Sequence, residues 1–294
     1  MREIKTLEAI GVIYICRTCQ FSWMERGGFE RCPRPTPSLH APLPAAAARE
    51  FALAEIHEQE LQAHQGGTYQ PPDEWWQVAL AVVGMPVKID APSLAARPWA
   101  TWTIAIVMAA VTLAAMPWLE HAISSLGFMP AHPWRDGGLT LITGFFLHIG
   151  LIHLLSNAYF LLVFGDNVED VLGWKRYLVL LAAAALGGDL THGLIDPHST
   201  VPCVGASGGI SGIIAFCACA FPRTKLAICV RFFFWWRIPA WGAFVLWIAI
   251  QVFGAVQQVF GLTDVSSLAH LGGSAVGIVW WLIWRRRNAS RLNA

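Results

Sequence analysis

Charge is what this sequence has least of. Asp, Glu, Lys and Arg make up 13% of its 294 residues, against about a quarter in an ordinary soluble domain. Hydrophobic residues make up 55%, and 15 residues are Trp. The shortage is uneven: residues 1–98 hold 20 of the 39 formal charges, so the following two thirds are very apolar. That excludes a conventional soluble fold for most of the chain and reads as a polar N-terminal region before a membrane domain. The net charge of +1 excludes the basic surface that nucleic-acid binding requires. Seven cysteines, an odd number without even spacing, exclude a disulfide framework. Cys203, Cys217, Cys219 and Cys229 lie in or beside apolar segments and read as small hydrophobes. No signal peptide is read at the start, because Arg17 and Glu25 interrupt the first apolar stretch.

A bilayer core takes roughly 20 apolar residues per helix. Six spans are expected, at residues 99–118, 143–164, 177–195, 205–221, 238–260 and 266–284. An even number puts both termini on one side. Arg97, Lys175, Arg176, Arg223, Lys225, Arg231, Arg237 and Arg285 to Arg287 fall on that side, while the opposite loops hold only Arg135. Lys and Arg mark the cytoplasmic face. The expectation is an all-α, six-helix, multi-pass protein of a bacterial inner (plasma) membrane, with both termini cytoplasmic. Trp99, Trp118, Trp235, Trp236, Trp280, Trp281 and Trp284 sit near span ends as interfacial anchors.

The expected organisation is a cytoplasmic region at 1–95, a membrane domain at 96–288 and a cytoplasmic tail at 289–294. In the first region Cys16 and Cys19 form half of a zinc knuckle, with Cys32 and His40 as third and fourth ligands of a structural zinc. The second pair is broken by Pro33-Arg34-Pro35, so a degenerate knuckle stands as the alternative. Residues 33–44 read as a Pro-rich linker, and 45–64 as a short soluble helix. Residues 75–85 are apolar but too short to span and are expected at the interface.

Polar residues at membrane depth are costly and are functional candidates. The fourth span opens Gly205-Ala206-Ser207-Gly208-Gly209-Ile210-Ser211-Gly212, and the sixth carries His270 with Gly273 and Gly277. Gly208 with Gly212, and Gly273 with Gly277, form small-residue stripes that let two helices approach closely. Close approach would bring His270 within reach of Ser207 as its base. Such stripes are equally common as plain packing devices. The second span adds His148, His153 and Asn157. His153 and Asn157, four apart, share a helix face and could donate to an oxyanion. A buried polar network is the alternative reading. Asp189 and His192 share a face of the third span, where a metal or proton path would compete with structural uses.

With these residues in view, the stretch from about Trp99 to Trp284 resembles the rhomboid family of intramembrane serine proteases. The carrying motifs are His148, His153 and Asn157, then Phe164-Gly165-Asp166-Asn167-Val168-Glu169-Asp170-Val171-Leu172-Gly173 as the following loop, then Gly205-Ala206-Ser207-Gly208, then Ala269-His270 with Gly273 and Gly277. The resemblance implies that Ser207 attacks the scissile carbonyl and His270 serves as base, then acid, without a carboxylate. It also implies oxyanion donors on His153, Asn157 and the Ser207 backbone, with His148 and Gly205 supporting. Substrates would be transmembrane proteins, and no cofactor is implied. Two departures stand out. Ser211 occupies the place, four after the nucleophile, where the family often has an aromatic stacked on the imidazole, so other packing must hold His270. Leu139 and Thr140 occupy the place of a Trp-Arg pair that lies earlier here, at Trp134 and Arg135. The rivals are an inactive rhomboid-like protein that binds transmembrane clients, and a small-ion or metal transporter.

Overall fold

A computed structural model describes residues 2–5, 12–15, 22–24, 78, 81–82, 84–89, 91–92, 94–230, 234–263 and 265–292. The chain divides into two compact units, Met1–His64 and Gln65–Ala294. In the first, β1 (Arg2–Lys5), β2 (Val12–Ile15) and β3 (Ser22–Met24) form an antiparallel sheet in that order, with Ile15 opposite both Arg2 and Ser22. The expected zinc ligands Cys16, Cys19, Cys32 and His40 lie outside the described residues, as do the linker at 33–44, the helix at 45–64 and most of 75–85.

The second unit is mostly helical. α1 (Trp99–Ala115) passes through a 3-10 turn at Met116–Trp118 into α2 (Leu119–Leu126); Pro117 has no N–H to continue the regular ladder. Then follow α3 (Thr140–Phe146), α4 (Leu151–Leu172), α5 (Trp174–Ile195), α6 (Ser207–Ala220), α7 (Ala240–Val259) and α8 (Ser267–Leu292). Among the described residues, five helical stretches are long and apolar enough to cross a membrane: Trp99–Leu126, α4, α5, α7 and Ser267–Asn288. α6 is apolar but shorter, at 14 residues.

Two sequence expectations are corrected here. The span read at 143–164 is broken: α3 stops at Phe146, Leu147 is extended, and α4 begins only at Leu151. His148 therefore lies in a connection between helices. The stretch 164–173, taken by resemblance as the loop after the second span, is instead the C-terminal end of α4, which runs to Leu172 and is capped by Gly173. Its polar groups have partners that sequence reading could not see. Glu169, buried, accepts from the backbone N–H groups of Ala100 and Thr101 and from Thr101 Oγ1, at 2.9, 2.8 and 2.8 Å. Those N–H groups belong to the first turn of α1 and have no intrahelical acceptors. Asp170 accepts from Ala95 and Ala96 N–H, and Lys88 reaches Asp166 and Asn167. The segment before α1 is thereby fastened along the end of α4. Gly173, at φ +74°, ends α4 and turns the chain directly into α5.

A second sheet lies outside the helices. β5 (Lys225–Val230) and β6 (Phe234–Pro239) pair as an antiparallel hairpin between α6 and α7, and β4 (Val87–Ile89) adds to β5. The all-α expectation omitted both sheets. Hydropathy counts the apolar side chains of 225–239 but does not distinguish a paired hairpin from a loop and helix start, although its β-branched and aromatic residues suit strands.

α6 is the hub. Every residue from Gly208 to Ala218 is buried, as befits a helix that is apolar all round. Ile213 and Phe216 pack into a core with Met108, Leu161, Tyr177 and Leu180. The two glycine stripes meet: a Cβ at Gly273 would land on the Gly208 carbonyl oxygen, and one at Gly277 on that of Gly212. α5 joins this contact through a pair not singled out from sequence, since a Cβ on Gly188 would lie 2.6 Å from the Ala269 carbonyl oxygen. Three helices thus pack backbone against backbone around the turn that bears Ser207.

Candidate functional site

Ser207 is the first residue of α6. Its backbone N–H belongs to the orphan donors of a helix start, at the positive end of the macrodipole. The chain entering it is pinned on both sides. Phe128 and Cys203 exchange backbone hydrogen bonds, at 2.9 and 2.6 Å, and Gly205 N–H donates to the Gly144 carbonyl at 2.9 Å. Gly205 takes φ +118°, a conformation costly for any residue with a Cβ. Space makes the same demand: a Cβ there would sit 2.8 Å from His153 Cε1 and 3.1 Å from its Nε2.

The His153 ring therefore lies against the turn two residues before Ser207. Its Nδ1 accepts from Ile149 N–H at 3.4 Å. In a neutral imidazole one nitrogen accepts and the other donates, so the proton sits on Nε2, toward Gly205. Asn157, buried one turn further along α4, donates from Nδ2 to the His153 carbonyl at 2.9 Å. An amide nitrogen has two hydrogens, so one remains for a second acceptor. His148, fully buried, packs edge-on to His153 with ring centroids 5.1 Å apart. Its Nδ1 meets Thr112 Oγ1 of α1 at 3.1 Å, which joins the loop before α4 to the first span. Its Nε2 has no partner among the described residues.

His270 sits in the first turn of α8 and is buried. Ala269 and Ser207 line one small cavity, together with Asp189, Cys203, Gly144 and Gly205. Burial first, and then the Asp189 charge, push the Cys203 thiol up to about 12, against a smaller opposing effect of a hydrogen bond with Ser266. Cys203 stays protonated near neutral pH. The imidazole of His270 is held by α7, not α6. The Trp247 ring stacks on it, with centroids 5.8 Å apart and planes at 29°, and Gln251 Oε1 lies 2.7 Å from its Nδ1. Trp247 and Gln251 are four apart and share one helix face. Neither was singled out from sequence. The available signal was Gln251 itself, a polar residue midway along an apolar span.

Other expected residues find structural partners. His192 Nδ1 meets Ser266 Oγ, immediately before α8, at 3.0 Å. No group of three metal-ligating side chains occurs among the described residues. Arg135 donates to the Ser124 and Gly127 carbonyls at 2.8 and 2.7 Å, tying its loop to the end of α2, while Trp134 is exposed.

The family model for the rhomboid domain matches residues 131–287, more than half of the chain, from the Arg135 loop into the last span. This chain belongs to the rhomboid family. Among curated relatives, it is 30% identical over 165 residues to rhomboid-like protein 11, chloroplastic, of Arabidopsis thaliana, covering 51% of this chain and 54% of that protein. It is 29% identical over 165 residues to the mitochondrial rhomboid-like protein 12 of the same plant, covering 50% and 47%. It is 29% identical over 150 residues to the human presenilin-associated rhomboid-like protein, mitochondrial, covering 48% and 38%. The matched stretch spans about half the length of these relatives, or less. Within this rhomboid chain the departure at Ser211 is met by Trp247, which brings the aromatic face to His270 from α7 instead of α6.

Proposed function

We propose that this rhomboid chain is an intramembrane serine endopeptidase that cleaves transmembrane protein substrates with a Ser207–His270 dyad. The observation that carries the reading is the setting of Ser207. It starts a helix within a turn held by Gly205, with a His153 ring whose Nε2–H faces that turn. In the reaction His270 Nε2 takes the proton from Ser207 Oγ as the oxygen attacks the scissile carbonyl. The tetrahedral oxyanion is held by the Ser207 backbone N–H, the His153 Nε2–H and the second Asn157 amide hydrogen. His270 then gives its proton to the leaving amine. Water, deprotonated in turn by His270, hydrolyses the acyl-enzyme and releases Ser207. His148 and Gly205 support this geometry, and the dyad needs no metal or cofactor.

The same reading counts α6 as a sixth crossing helix, in a domain spanning 96–288 between a region at 1–95 and a tail at 289–294. At about 1.5 Å per residue α6 is about 21 Å long, shorter than the roughly 30 Å hydrocarbon core. If its C-terminal end meets the Lys- and Arg-rich face, Ser207 lies below the opposite surface, where a membrane-embedded bond can reach it. The Lys and Arg distribution supports both termini on the basic face, the cytoplasm in a bacterial inner (plasma) membrane. The relatives named above carry chloroplast and mitochondrial names, and the charge pattern orients the chain without naming its membrane.

The alternative is a rhomboid-like protein that binds transmembrane clients without cutting them. The two readings separate in proteoliposomes containing one model transmembrane substrate. The parent is expected to release two fragments and Ser207→Ala none; equal fragment release from both would end the dyad reading, and intact substrate with the parent would favour client binding.

A further inference from the structure

The geometry points to Gln251 as a positioning residue that completes the dyad: we propose that its side-chain carbonyl fixes the His270 tautomer and orients the ring toward Ser207. The inference rests on the protease reading above. Gln251 is buried on α7, and its Oε1 lies 2.7 Å from His270 Nδ1. A carbonyl oxygen can only accept, so Nδ1 carries the hydrogen. The lone pair is then on Nε2, the nitrogen that must take the Ser207 proton. Trp247, one turn earlier on the same face, stacks on the ring and restricts its tilt. Hydrogen bond and stack together leave the imidazole one orientation.

The arrangement also matters after proton transfer. When Ser207 Oγ gives its proton to Nε2 and forms the bond to carbon, the ring becomes an imidazolium with hydrogens on both nitrogens. The Nδ1–H then donates to Gln251 Oε1 as a charge-assisted bond, stronger in the transition state than in the resting enzyme. A neutral amide fills the place that a carboxylate holds in a three-residue triad. Unlike a carboxylate, it costs no buried charge in an apolar span. Because α7 supplies both groups, displacement of α7 would loosen the base. α7 has few buried residues of its own, Ala240, Gln251 and Ala255. One of these three is the residue that bonds the base.

The test compares the parent with Gln251→Met, which keeps the length but loses the acceptor, and Gln251→Glu, which keeps it. All three are reconstituted with a model transmembrane substrate, and kcat and KM are measured across pH. Gln251→Met is expected to lower kcat about 10- to 100-fold with KM little changed, the loss of one hydrogen bond to a charged group. Gln251→Glu is expected to recover most of that kcat and to move the acid limb of kcat/KM upward, because a carboxylate at Nδ1 favours the imidazolium. Parent-like kcat in Gln251→Met would overturn the proposal. So would equal losses in both variants with an unmoved acid limb, which a packing role alone would give. A parent that cleaves nothing removes the protease reading and this role together; a cleaving parent with an indifferent Gln251 removes this role alone.

Discussion

His270→Ala is expected to slow substrate cleavage as far as Ser207→Ala does, about 10³-fold or more, and the double variant no further. A serine hydroxyl is a poor nucleophile until a base takes its proton, and a base without a nucleophile has nothing to activate. The two residues open neighbouring helices, α6 and α8, whose backbones meet at Gly208 and Gly273. In the proposed mechanism they act on one proton and one bond, so their losses should overlap instead of adding. Initial rates for the four proteins, at one substrate density in the same liposomes, provide the cycle. Losses that multiply in the double variant would mean that the two side chains work independently and that the dyad is wrongly drawn.

Gly273→Leu is expected to be the most damaging substitution outside the chemistry, costing at least about 3 kcal/mol, the upper end for overpacked cores. Where most overpacking pushes against a side chain that can turn, here the obstacle is the Gly208 carbonyl, part of the helix that carries Ser207. The Ala184 carbonyl lies on another side, 3.2 Å from the same Cβ position. Relief requires α8 to move away from both α6 and α5, which would carry His270 from Ser207 as well. Gly150→Ala is the matched control. Its backbone is extended and a Cβ there meets nothing within 4 Å, so a change within about 0.5 kcal/mol is expected. Thermal unfolding in one detergent checks the pair; a parent-like midpoint for Gly273→Leu would show that the stripes do not pack as described.

Much of this arrangement is legible in the sequence. Apolar runs locate most of the crossing helices, and the Gly208–Gly212 and Gly273–Gly277 stripes announce the α6–α8 contact because small residues at a spacing of four mark close helix packing. His153 and Asn157 could be placed on one face by spacing alone. Several of the misses depend on partners far away in sequence. Residues 164–173 look like a loop until Lys88, Ala95, Ala96, Ala100 and Thr101 are seen to satisfy their side chains. The break at 147–150 leaves little trace in hydropathy, because Leu147 and Ile149 are as apolar as the helices on either side. The β5–β6 hairpin hides within a stretch read for its arginines and tryptophans. Ser211 predicted that something else must hold His270, yet nothing local could name Trp247 and Gln251, which come from another helix.

The central claim is that Ser207 is an activated nucleophile and His270 activates it. The most direct measurement is reaction of the detergent-solubilised protein with a serine-directed fluorophosphonate, followed by mass mapping of the adduct. A single adduct on Ser207 in the parent, absent from His270→Ala, is the predicted result. An unlabelled parent, or equal labelling of Ser207 with and without His270, would contradict it.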